Sequence, residues 1–71
     1  MKLLDVVALI NDAPEKALQR GQVGTIVEVL APGVFEVEFS DLEGRTYASV
    51  ALPERRLMVL RHEPASAAAG T

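Results

Sequence analysis

The chain has 71 residues, of which 49% are apolar, 24% charged and only 4% aromatic, and its seven Lys/Arg against ten Asp/Glu give a formal charge of −3. That composition describes one small folded domain and excludes a disordered or strongly basic chain. There is no cysteine, which excludes disulfide staples, thiolate catalysis and Cys-ligated zinc or iron–sulfur centres. Secreted domains of this size usually carry staples, so a cytoplasmic setting is expected.

The first residues, Met1-Lys2-Leu3-Leu4, faintly suggest a signal peptide, but Asp5 interrupts the apolar run and no small-residue cleavage site follows. The longest strictly apolar run, Val6–Ile10, has five residues, far short of the roughly 20 of a transmembrane helix. No membrane association is expected.

The punctuation of the chain predicts five strands. The first is Val6–Ile10. A long folded-back loop follows over Asn11–Gly21, with Leu18 tucked beneath it and one helical turn starting at Pro14. The second strand, Gln22–Leu30, carries Val27 and Val29 around Glu28, which predicts both valines facing inward. Gly24 near its start suits a sharp bend or a close crossing of two strands. Pro32-Gly33 makes a turn into the third strand, Val34–Phe39, where Phe35, Val37 and Phe39 alternate with Glu36 and Glu38. That alternation separates a core face from a solvent face. Asp41–Gly44 reads as a type I turn closed by a left-handed glycine. The fourth strand is Arg45–Leu52, with Tyr47 as a half-buried residue, and strands two to four make an antiparallel meander. Pro53–Arg56 reads as a single 3₁₀ turn, and Leu57–Leu60 as the last strand.

Strand, long loop, three-strand meander, 3₁₀ turn and last strand is the order of an all-β, five-stranded SH3-like barrel. The second strand would be long and bent enough to join two small packed sheets. The expected division is a barrel over residues 1–61 and a small-residue tail over 62–71, without pattern and frayed.

Few residues suggest chemistry. Gly21-Gln22-Val23-Gly24 opens a β-branched strand, not a helix, and no Lys-Ser/Thr follows, so it is a turn and bend and not a phosphate loop. His62 has nothing to hold it toward Ser40, Asp41 or Ser49, so no triad is expected. No catalytic residue, cofactor or metal is expected, and the chain reads as a non-enzyme. Glu28, Glu36 and Glu38 fall on one outward face of the second and third strands, extended by Asp41 and Glu43 at the next turn. They are the candidate partner-binding residues, set against the plainer reading of a solubilising outer face. Nucleic-acid binding is disfavoured by net acidity, by the Glu-bearing meander and by the assignment of both Phe residues to the core. Arg45, Arg55, Arg56 and Arg61 are candidates for a local basic patch, set against the plainer reading of interspersed surface charge.

The whole pattern resembles a bacterial family of short stand-alone proteins, domain-of-unknown-function family 4926. The matching stretches are Leu4–Leu9, Pro14, Leu18, Gly21–Glu28, Phe35–Phe39, Asp41–Thr46, Leu52-Pro53 and Leu57. The resemblance implies a lone SH3-like barrel without assigned catalysis, set in the genome beside another small protein as in toxin–antitoxin or immunity pairs. It brings no functional residues with it, and the tail is extra to it.

These observations converge on a small protein-interaction module, in its most specific form the antitoxin or immunity member of a two-gene pair, bound to a basic or amphipathic protein. The alternatives are a nucleic-acid- or ribosome-associated barrel, and a structural homo-oligomer or a subunit of a larger complex.

Overall fold

A computed structural model describes residues 1–65. Its five strands are β1 (Val6–Leu9), β2 (Val23–Ala31), β3 (Val34–Ser40), β4 (Thr46–Pro53) and β5 (Leu57–Val59), with 3₁₀ turns at Pro14–Lys16 and Glu54–Arg56. All strand pairings are antiparallel, and the sheet runs β4-β3-β2-β1-β5. The all-β class, the strand order and the central meander are those expected from sequence. The two half-sheets form one continuous sheet with β4 and β5 at its ends, so it stays open and "barrel" describes it loosely. The tail expected over 62–71 lies outside the described residues from position 66 onward.

The core follows from period-two alternation. Phe35, Val37 and Phe39 of β3 are buried, while Glu36 and Glu38 between them are only partly covered. Val7 and Leu9 of β1, Ile26 of β2, Leu52 of β4 and Leu57 of β5 complete the cluster. Ala13 and Leu18 close it from the long loop. They bond to each other through both main-chain groups, Ala13 N to Leu18 O at 2.9 Å and Leu18 N to Ala13 O at 3.1 Å. The 3₁₀ turn between them is the helical turn expected at Pro14, and Leu18 is tucked as expected.

Val27 and Val29 depart from expectation in not being buried: they are 40% and 49% exposed. Ile26 pairs with Val37, whereas Glu28 pairs with Glu36, so Val27 is the extra residue of a β-bulge. A bulge breaks the alternation on which an inward reading depends. Val29 returns to the register and face of Phe35 but is half exposed there. A second irregularity, between Val29 and Ala31, leaves Leu30 exposed as well. Ile10, expected in the first strand, lies beyond its end and is exposed.

Gly24 is the close-approach point. It pairs with Val7 on one side and Phe39 on the other. A Cβ there would lie 2.7 Å from Val37 Cγ1, 2.9 Å from Glu38 O and 3.0 Å from Phe39 Cδ1. Gly33 has φ +73° after Pro32, the geometry of a type II turn. The Asp41–Gly44 turn closes through Gly44 N to Asp41 O at 3.0 Å, with Gly44 at φ +81°.

Candidate functional site

The strand register decides which side chains share the outer face. Glu28 stands directly opposite Glu36, and Thr25 opposite Glu38. On the other side of β3, Ala51 is opposite Glu36 and Ser49 opposite Glu38. Directly opposed side chains lie on the same face, and β3 turns its phenylalanines the other way. Glu28, Glu36 and Glu38 are therefore gathered on one outward surface. Like charges directly opposite each other destabilise a sheet pair, so Glu28 against Glu36 is a cost to the fold.

Hydroxyls hold two of the three carboxylates. Ser49 Oγ donates to Glu36 Oε2 at 2.7 Å, and Thr46 Oγ1 donates to Glu38 Oε1 at 3.0 Å. Hydroxyls orient a carboxylate but do not neutralise it. Three of the chain's seven cations are committed elsewhere. Lys2 pairs with Asp5 at 2.7 Å, Arg45 with Asp41 at 3.3 Å and Glu43 at 3.6 Å, and Arg56 with Glu15 at 2.7 Å. Among the described residues no ion pair reaches Glu28, Glu36 or Glu38. The expectation that Asp41 and Glu43 extend the charged face holds only in part, because Arg45 offsets one of their two charges.

The four arginines do not assemble into a patch. Arg45 and Arg56 flank opposite ends of β4, an eight-residue strand that spans roughly 26 Å at ~3.3 Å per residue. Arg56 is instead a clamp. Besides Glu15 it reaches the carbonyl of Asp12 at 3.0 Å, and its own carbonyl accepts from Ile10 N at 3.1 Å. It fastens the long loop to the second 3₁₀ turn. Nothing in the local sequence signals this, since the partners are more than forty positions apart.

Two carboxyls are held below their ordinary acidity range. The Lys2 side chain and then its backbone amide hydrogen-bond Asp5, and the Arg56 guanidinium hydrogen-bonds Glu15. Both are tied to their partners at turns, away from the outer face of β3. An open hollow of about 480 Å³ runs past Lys2, Asp5 and Val59–Ala65, His62 included. His62 makes no side-chain hydrogen bond among the described residues, Ser49 is engaged with Glu36, and Asp41 Oδ1 accepts from the amides of Glu43 and Arg45. Tyr47 is about half exposed at a bulge, stacked obliquely on Phe39 at 6.3 Å between ring centroids, and its hydroxyl accepts from Gln22 Nε2 at 3.1 Å.

No helix among the described residues is long and apolar enough to cross a membrane. Fold and face together define a small antiparallel β-sheet domain with a carboxylate-bearing outer surface. Residues 3–59 match the family model described as Domain of unknown function (DUF4926), and the chain belongs to that family. Comparison with curated proteins and with solved structures gives no match.

Proposed function

We propose that the chain is a non-catalytic protein-binding module whose outer-face carboxylates, Glu28, Glu36 and Glu38, receive a basic partner. The observation that carries this reading is the distribution of cations. Asp5, Glu15, Asp41 and Glu43 each have an internal cationic partner; among the described residues the other six acids have none, and of those six only Glu28, Glu36 and Glu38 are gathered on one sheet face, Asp12, Glu54 and Glu63 lying outside the strands. Their mutual repulsion is relieved when a cationic surface covers them. The same charge opposes a nucleic-acid backbone, whose phosphates need a basic stripe. In its most specific form the partner is a basic toxin and the chain its antitoxin or immunity protein. Small size and net acidity support that form, because opposite charge accelerates encounter.

The test is affinity recovery from the source cell with the wild type and with the Glu28→Lys/Glu36→Lys/Glu38→Lys triple variant, folding of the variant being checked by circular dichroism. A protein recovered by the wild type and lost from the variant supports the reading. Undiminished recovery removes the acidic face from it. A salt-sensitive gel shift with mixed RNA and DNA transfers the assignment to the nucleic-acid class.

A further inference from the structure

The open end of the sheet at β4 carries an inference about how a partner docks. β4 bonds only to β3, and among the described residues none of its main-chain groups over Thr46–Leu52 appears in any bond outside that pairing. Edge strands are usually protected by shortness, bulges, charge or proline. The other end of the sheet, β5, is three residues long, and the distal part of β2 is bulged twice. β4 has one bulge, at its Tyr47 end, and from Ala48 to Leu52 it runs in unbroken register with β3. That stretch, Ala-Ser-Val-Ala-Leu, holds no charge and no proline. It is a row of regular donors and acceptors without the usual defences.

The side chains beside this edge specify what fits it. On the inner face Ala48 and Val50 pack against the core, so an added strand that continues the sheet meets an apolar surface there. On the outer face the residues nearest the edge are Ser49 and Ala51, both small, and immediately behind them stand Glu38 and Glu36. An added strand lies two strand spacings from β3, about 10 Å. A lysine or arginine stem can pass over Ser49 or Ala51 to meet a glutamate, because nothing larger intervenes.

We infer that β4 is a strand-addition edge for an extended segment of a partner protein that alternates basic residues, directed over Ser49 and Ala51 to Glu38 and Glu36, with apolar residues directed at Ala48 and Val50. Main-chain bonds to β4 supply affinity, and the carboxylates select the basic strand. A second copy of this chain fits less well. It would merge two acidic faces into one sheet with no added cation. The inference rests on the proposal that the acidic face binds a basic protein, and it adds the docking geometry.

The test is an NMR titration of the whole chain with a capped synthetic peptide of strictly alternating lysine and valine, with amide exchange followed along β4. Every second amide between Thr46 and Leu52 should slow by about tenfold or more at saturation. A peptide alternating glutamate and valine should leave them unchanged. N-methylation of the edge-facing peptide amides should weaken binding by about tenfold or more. The Glu36→Gln/Glu38→Gln variant, which keeps acceptors for Ser49 and Thr46, should bind the lysine peptide more weakly and lose most of its salt dependence. If the lysine peptide binds and perturbs Glu28, Glu36 and Glu38 while the β4 amides stay unprotected, the edge inference is overturned and the acidic-face proposal stands. Failure of the lysine peptide to bind, or equal binding of the glutamate peptide, also overturns it. So does protection that appears without peptide and rises with protein concentration, which assigns the edge to self-association.

Discussion

Replacement of Gly24 by alanine tests whether β2 owes its central position to a missing side chain. Three atoms stand between 2.7 and 3.0 Å from where the new Cβ would be: Val37 Cγ1, Glu38 O and Phe39 Cδ1. Val37 and Phe39 are fully buried and Glu38 O is main chain, so relief requires β2 and β3 to move apart. Overpacking of this kind costs about 1–3 kcal/mol, and the backbone contact puts it toward the upper part of that range. The reduced freedom of the unfolded chain returns about 0.4–1 kcal/mol. The net expectation is a loss of about 2 kcal/mol, from a total of roughly 3–10 kcal/mol for a domain of this length. At about 4–8 °C per kcal/mol for a chain this small, Tm falls by about 8–16 °C. Thermal and urea unfolding followed by far-ultraviolet circular dichroism measure it. In a double-mutant cycle, Val37→Ala removes the nearest of the three atoms and should recover part of the loss. An unchanged or raised melting temperature for Gly24→Ala refutes the reasoning.

Leu4 is three-quarters exposed yet sits at φ +70°, in a turn closed by Asp5 N to Lys2 O at 3.1 Å. Left-handed backbone costs a non-glycine residue about 1–2 kcal/mol, so Leu4→Gly should stabilise by about 0.5–1 kcal/mol after the entropy of glycine is subtracted; a lower denaturation midpoint would show that the leucine side chain is itself needed. Asp5 and Glu15 both titrate below their ordinary values of 3.8 and 4.5 in the folded chain. Their contribution to stability is fully present above those values and is lost as pH falls through the lowered folded ones. The Asp5→Asn/Glu15→Gln variant should therefore lose less stability than the wild type when urea midpoints are compared from pH 6 down to pH 3, and parallel curves would refute the link.

The sequence carried the fold where local chemistry dominates. Alternation in Phe35–Phe39, Pro32-Gly33, the Asp41–Gly44 turn and the proline before the last 3₁₀ turn each place an element within a residue or two of where it lies. The reading of Val27 as a core residue failed because a bulge is a property of a strand pair. Val-Glu-Val reads as clean alternation until its partner is known, and only the pairing of Ile26 with Val37 and Glu28 with Glu36 reveals the extra residue. The shared face of Glu36 and Glu38 was legible, since it needs only period two; Glu28 joins it opposite Glu36 through the register shift between Val29 and Ala31, which is a property of the strand pair. That the charge of the three is left uncompensated was not legible, because it depends on where Lys2, Arg45 and Arg56 are engaged. Arg56 shows the limit most clearly: as a sequence element it is one charge among interspersed charges, and as a structural element it joins two segments far apart in the chain.

The pairing of β1 with β5, Val7 with Val59, Ala8 with Met58 and Leu9 with Leu57, joins strands from nearly opposite ends of the sheet-forming chain. The meander of β2, β3 and β4 is closed by short turns and forms from neighbours. Closing a long loop carries an entropy that short hairpins avoid, so the expected order of assembly is meander first and terminal seam last, which pulse-labelled amide exchange during refolding would read as earlier protection in β3 than in β5. Glu28, Glu36 and Glu38 and the edge of β4 all belong to the meander, so on that order the surface proposed for recognition would be assembled before the terminal strands pair.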